Sequence, residues 1–237
     1  THMGTNGAQL YQGGAQQLVA HEVTNQSSDR SQLSKMALAS REAMSAPELH
    51  ALADRGYYSG IELKACEDEG IAVYVPKPMT SNARAAGRFD KTDFVYIDRD
   101  DQYQCPAGQR AINRFSREEA GLKISIYWSS ACPGCSMRDQ CTTSKYRRIR
   151  RWEHEDVMDA VQQRLDRKPD AMKVRRRTIE HVFGTLKYWM GSTHFLMRGI
   201  QNVSTEMSLN VLAYNFKRVL NILGFERTMK AMQLLGT

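Results

Sequence analysis

The apolar residues of this chain change their period twice, and that change constrains the fold more than any other feature. From Leu18 to Val75, short apolar runs alternate with segments of helical spacing. Leu122, Ile124, Ile126 and Trp128 then alternate with Lys123, Ser125 and Tyr127, the pattern of a half-buried strand. From Glu155 onward the spacing is helical again. A strand, helix, strand order calls for an α/β sheet with crossovers. A period-two block inside that order calls for an antiparallel insertion.

Leu18 to Val23 reads as a short strand, and Ser31 to Met44 as a helix ended by Pro47. Asp29, in the turn Ser27-Ser28-Asp29, reads as a helix N-cap. Leu49 to Ala53 is a strand-like run closed by Asp54. Ser59 to Glu69 is a helix stopped by Gly70, and Ile71 to Val75 is a strand stopped by Pro76 and Pro78. Thr80 to Asp90 is loop-like, and Phe94 to Ile97 and Ala111 to Ser116 are weaker strands. Leu209, Leu212, Phe216, Val219 and Leu223 make an amphipathic helix that ends at Gly224 and is expected to complete the core rather than bind a partner. The expected organisation is a tag remnant and disordered start over 1–8, the N-terminal part of the core over 9–79, a β-rich cysteine-containing insertion over 80–150, and a helical C-terminal part of the core over 151–237. Thr1-His2-Met3 reads as the scar of an expression vector.

Charge narrows the partners. The 237 residues suffice for one substantial core, and 41% hydrophobic with 25% charged content is ordinary for a soluble protein. The net charge of +7 favours a polyanion. The excess is local, in Lys145, Arg147, Arg148, Arg150 and Arg151 and again in Lys173, Arg175, Arg176 and Arg177. A basic run is by default a solvated face. Here, at helical pitch, Lys173, Arg176, Glu180 and Lys187 share one arc beside an apolar stripe of Met172, Ile179, Phe183, Leu186 and Met190. A carboxylate among cations suits a metal-bound phosphodiester, and two flanking clusters raise nucleic acid above the solvated-face default. No apolar run reaches membrane length and no signal peptide is read, so a cytoplasmic location is expected.

Ala53-Asp54-Arg55-Gly56-Tyr57-Tyr58-Ser59-Gly60, the run from Gly70 to Pro78, the stretch from Arg147 to Trp189 and the tail from Thr193 to Gly224 together resemble the transposases of bacterial insertion sequences. The likeness is to the DDE group whose third carboxylate lies in a Tyr-x2-Arg-x3-Glu-x6-Lys signature. Lys173, Arg176, Glu180 and Lys187 occupy those positions, with Lys173 where the family has Tyr. The resemblance runs from about Leu18 to Gly224. It implies a ribonuclease-H-like mixed sheet flanked by helices, in which three carboxylates hold two Mg²⁺ or Mn²⁺ ions and DNA is cut and rejoined at the element's ends. Asp54 matches the second carboxylate and Glu180 the third. Arg176 and Lys187 would position the phosphate backbone, Lys173 would add charge, and Arg147 and Arg148 would contribute to DNA binding. The partners implied are element ends and target DNA, with a homodimer left open and no membrane, in a bacterial cytoplasm at the nucleoid. The family's long N-terminal end-recognition region is not visible, so the chain is expected to be a C-terminal portion.

The first Asp should lie just upstream of Leu18 to Val23, at or near Gln12. The sequence there, Leu10 to Gln17, has no Asp, and none occurs before Asp29. Glu22 belongs to the following strand and Asp29 to a turn. The two-ion site is therefore expected to be incomplete and the transposase impaired. The alternative is a catalytically inactive, DNA-binding remnant. A purely structural or interaction module is a third, weaker reading.

Four of five cysteines cluster in the insertion, as Cys105, the knuckle Cys132-Pro133-Gly134-Cys135, and Cys141. Thiolates at x2 spacing across a tight turn chelate tetrahedral zinc, which would make the insertion a zinc ribbon. The alternatives are reduced structural thiols or a disulfide, the latter disfavoured in a reducing compartment. Cys66 reads as a core residue, as do Trp152 and Trp189. His181 could contact phosphate or metal but is more simply a packed or solvent-facing residue, and Tyr57 and Tyr58 could stack on a nucleotide or pack in the core.

Overall fold

In the computed structural model, residues 4–12, 15–78, 82–191 and 193–235 are described, the side chains of 4–12, 15, 16, 180, 181, 183 and 235 excepted. The chain divides into two compact units, Thr1–Lys77 with Ala160–Thr237, and Pro78–Asp159. The fold is mixed α/β.

The first unit opens with an antiparallel hairpin of β1 (Gly4–Gln12) and β2 (Ala15–Thr24). β1 starts at Gly4, inside the stretch expected to be a disordered start. α1 (Leu33–Met44) buries Leu33, Met36, Ala37 and Ser40 at helical spacing. It ends at Ser45, a left-handed residue whose N–H bonds back to the carbonyl of Glu42. The 3-10 turn before it, Asp29–Ser31, is capped by the Ser28 hydroxyl, so Asp29 is the first turn residue and not the cap expected of it. β3 (His50–Leu52) and β4 (Ala72–Tyr74) pair in parallel with α2 (Gly60–Asp68) between them, and Gly70 at φ +68° turns the chain from α2 into β4.

The expected single mixed sheet is not formed. Among the described residues β1–β2 and β3–β4 are separate ladders. β3 and β4 offer only three residue pairs, cut off by the turn at Asp54 and by Pro76 and Pro78.

The helices that follow are α3 (Glu155–Arg167), in which the division between the units falls, α4 (Ala171–Gly184), α5 (Ile200–Leu223) and α6 (Phe225–Leu235). A π-helical turn, Thr185–Trp189, follows α4. Leu18 and Val23 of β2 pack with Val182, Leu186 and the α5 residues Val203, Met207, Val211 and Tyr214. Asn215 of α5 acts as a surrogate strand. Its Nδ2 donates to the Leu18 carbonyl (2.7 Å) and its Oδ1 accepts the Leu18 N–H (2.9 Å).

That contact corrects the expected face of α5. Leu209 and Leu212 are 61% and 64% exposed, with Phe216 and Leu223 also outside the core. The helix has apolar residues on both sides, so spacing alone could not choose between them. Of the stripe expected along α4 and the turn after it, Leu186 is buried and Met190 packs against that core. Met172 and Ile179 are half-buried beside the buried Ala171, Thr178 and Val182, while the Phe183 side chain lies outside the described residues. Trp189, expected in the core, is 84% exposed, whereas Trp152 and Cys66 are buried as expected.

The second unit is a five-stranded antiparallel meander in the order β5 (Val95–Ile97), β6 (Gln102–Gln104), β7 (Arg110–Glu119), β8 (Leu122–Trp128) and β9 (Ile149–Trp152). Ala120 and Gly121, both at positive φ, make the two-residue β7–β8 turn that suits strand twist. Phe94, Tyr103, Ala111, Tyr127 and Ile149 form one cluster, and Ile124, Ile126 and Trp152 another. Beneath the first, Asp101 accepts hydroxyl bonds from Tyr96 (2.8 Å) and Tyr127 (2.6 Å). Among the described residues the unit forms no zinc ribbon. Its cysteines sit on loops outside the strands.

The two faces of α5 make a direct test. Met207→Ala should cost about 2–5 kcal/mol through lost burial and a residual cavity. Leu209→Ala should stay within about 0.5 kcal/mol of the parent. Urea unfolding of both variants checks this, and the opposite ranking would return the core to the Leu209 face.

Candidate functional site

Asp54 stands where β3 gives way to a turn. The Ala53 N–H still bonds to the Tyr74 carbonyl (3.1 Å), so the strand end is fixed. Asp54 then caps the 3-10 turn Arg55–Tyr57, with Oδ1 accepting the Gly56 N–H at 2.9 Å. A Cβ at Gly56 would lie 2.9 Å from that same oxygen, so glycine is what lets the carboxylate close this turn. Its other oxygen, Oδ2, accepts from Arg175 Nη2 of α4 at 2.8 Å. The turn at Asp29–Ser31 also approaches, since burial first and then the charges of Asp29 and Asp54 push the Tyr57 hydroxyl up to about 12, against Arg175.

α4 is thus held against the strand end that carries Asp54. Glu180 and His181 lie on this helix, but their side chains fall outside the described residues, so the third carboxylate is placed by backbone alone. Lys173 is exposed and paired to Asp170 (2.8 Å). Arg176 is exposed on the same helix. Lys187 falls in the π-helical turn, which takes more residues per turn than the 3.6 on which the expected arc was drawn, and it is exposed there. Gln12 is the last residue of β1, opposite Ala15, and its side chain also lies outside the description. Arg175 is the residue that sequence reading passed over. It stood in the cluster without a role, and nothing in its spacing distinguished it from Arg176.

In the second unit Cys105, Cys132, Cys135 and Cys141 all line one pocket of about 30 Å³, room for a single water or ion. Cys132-Pro133-Gly134 forms a 3-10 turn with the Cys135 N–H on the Cys132 carbonyl (3.3 Å), and Gly108 N–H bonds to the Cys105 carbonyl (2.8 Å). All four are free thiols. Burial raises the Cys141 thiol, with the other three adding to the rise and Arg147 opposing it. Among the described residues, however, no three His, Cys, Asp or Glu side chains converge as a metal-binding group. Arg147 is half-buried at this pocket, with Nη2 on the Phe89 carbonyl (3.2 Å) and its guanidinium over the Phe94 ring. Arg148 points elsewhere, over Trp128.

A family model described as the transposase DDE domain matches residues 104–220. That stretch belongs to the DDE transposase family. The transposase match takes in all four pocket cysteines and the helix bearing Glu180, roughly the C-terminal half of the chain, and excludes Asp54 and Gln12. No curated protein and no solved structure matches the chain. Among the described residues no helix is long and apolar enough to cross a membrane.

The thiols should separate by reactivity. Burial pushes Cys66 up to about 12 and raises Cys141 as well, so iodoacetamide at pH 8 should label Cys105, Cys132 and Cys135 ahead of Cys141 and spare Cys66 until the protein unfolds. Peptide mapping reads this directly. Because the folded-state value is raised, Cys66 favours the fold fully below its unfolded value near 9, and this contribution is lost as pH rises towards 12.

Proposed function

We propose that the chain is a DDE transposase catalytic domain whose DNA-cleaving chemistry is impaired and whose basic residues bind DNA. The observation that carries this reading is the 2.8 Å bond from Arg175 to Asp54, which ties the strand-end carboxylate to the helix carrying Glu180. The family match over residues 104–220 supports it independently. Lys173, Arg176 and Lys187 on and after α4, with Arg147 and Arg148, are the cations assigned to the DNA backbone.

In such enzymes two divalent ions activate water and stabilise the leaving oxygen. The residues described do not compose that site. Asp54 spends one oxygen on Gly56 and the other on Arg175, and the position matched to the first Asp is the neutral Gln12. This favours the second reading, a DNA-binding remnant without catalysis.

Nicking of supercoiled plasmid with Mg²⁺ or Mn²⁺ distinguishes the two. Impaired but genuine catalysis gives slow nicking that Asp54→Ala abolishes and Gln12→Asp increases at least tenfold. No nicking from either parent or Gln12→Asp, with DNA still retarded on a gel, leaves the remnant reading. Failure to retard any DNA at low salt would sink both.

For the cysteine pocket we infer structural zinc. Four thiols on three tight turns around a space of ion size support it. Binding requires the sulfurs to close on a point where they do not now converge. About one zinc per chain is expected by elemental analysis, with Cys132→Ser/Cys135→Ser lowering both metal content and melting temperature. A metal-free parent of unchanged melting temperature would make the thiols simple packing groups.

A further inference from the structure

The second unit carries a group of aromatic rings and cations to which, Arg148 apart, no role has been given. β7 bulges between Asn113 and Phe115, and the bulge re-aims Arg114. The Arg114 guanidinium lies 5.5 Å from the centre of the Trp128 ring, and its Nε donates to the Trp128 carbonyl (3.2 Å). Arg148, approaching β9, places its guanidinium 5.7 Å from the same ring. Phe115 meets Trp128 edge-on at 6.0 Å, and Tyr146 lies beside it at 5.9 Å with Lys145 over its face. Three rings and three cations are therefore interleaved at one end of the sheet.

Two features suit this group to a ligand, although Arg88, Arg110 and Arg138 of the same unit are likewise without an ion pair among the described residues. Phe115 is 44% exposed, and an open pocket of about 320 Å³ runs along Lys145, Tyr146 and Arg148. Its cations also lack counter-charges. Elsewhere in the unit Arg84 faces Asp90, Lys91 faces Glu155, Arg151 faces Asp159, and Arg117 and Arg150 share Glu119. Among the described residues Arg114, Lys145 and Arg148 have no carboxylate in ion-pair range. An exposed ring costs solubility and an unpaired cation cluster costs repulsion. A ligand that is both anionic and flat-faced would relieve the two together.

We propose that this surface binds single-stranded nucleic acid. Arg114, Lys145 and Arg148 would take successive phosphates, and unpaired bases would stack on Phe115 and Tyr146, with Trp128 as the backing ring. A duplex keeps its base faces covered and offers only phosphates. An acidic peptide offers charge without stacking faces. The inference rests on the DNA-binding reading above and narrows it to the second unit and to unpaired nucleotides.

The test is fluorescence anisotropy with the full chain and three labelled probes: an oligothymidine strand, an abasic strand of equal length, and a duplex. The intact strand should bind about tenfold more tightly than the abasic one, the scale of one stacked base. Phe115→Ala/Tyr146→Ala should erase that ratio while leaving abasic and duplex binding unchanged. Arg114→Gln/Arg148→Gln should weaken the intact and abasic strands alike and flatten their salt dependence. Equal affinity of the parent for intact and abasic strands overturns the proposal without needing any variant to fold. So does competition by polyglutamate as effective as by the strand, which would make this a general anion surface. Duplex binding with no intact-over-abasic preference removes this inference alone. No binding to any of the three probes removes the DNA-binding reading as well.

Discussion

The clamp between Asn215 and Leu18 decides how the first unit packs. One amide side chain answers both backbone groups of an edge residue, which an apolar contact cannot do. Two such bonds contribute only about 1–3 kcal/mol net. Their larger effect is geometric, since they fix the rotation of α5 against β2. With that rotation set, Val203, Met207, Val211 and Tyr214 face Leu18, Val23, Val182 and Leu186. Every apolar residue on the opposite side is left facing outward. The exposed run continues from Leu209 and Leu212 through Phe225 and Leu234 of α6.

How legible this was depended on whether one face of each element was unambiguous. β8 alternates over Leu122 to Ile126 and its bounds were readable, whereas Tyr127, expected on the polar side, is buried in the cluster on the other face. α1 and α2 carry one apolar stripe each between clear stop signals, Pro47 and Gly70, and they were readable too. β6 is Gln-Tyr-Gln, and β9 is Ile-Arg-Arg-Trp inside a basic run, so neither announces itself locally. Both are strands because β7 and β8 offer them edges. α5 is apolar on two sides, and only a polar residue, Asn215, breaks the tie. The π-helical turn after α4, which carries Lys187, has no local signal that a 3.6-residue reading can use.

The same asymmetry governs the candidate sites. Asp54 was singled out by the family resemblance, and Cys132 and Cys135 by the Cys-Pro-Gly-Cys knuckle, with Cys105 and Cys141 added from the same insertion. Arg175 pairs with Asp54 across 121 residues and had no such marker. The cations of the second unit likewise looked uniform as a run. In space Arg147 turns towards the thiols, Arg150 pairs with Glu119, Arg151 covers the Tyr96 ring, and Arg148 is left on Trp128. One basic cluster is therefore four separate environments, and only some of it can meet a polyanion.

Charge count links the neutral Gln12 to the pairing at Asp54. Three carboxylates can balance most of the charge of two divalent ions, and replacing one with an amide removes both a ligand and a unit of negative charge. A strand-end carboxylate left beside a basic helix then takes the nearest cation, and here that is Arg175. The Asp54 side chain is 47% exposed and that of Arg175 21%, so the pair is of the kind that contributes about 0–1 kcal/mol. So weak a pair does not by itself bar a divalent ion from Asp54. On the proposed reading, an ion at Asp54 needs further hard oxygen ligands to share it. On the same reading, Gln12 at the end of β1 is the position where an Asp would restore a ligand, and Arg175 is a pairing that a bound ion would displace.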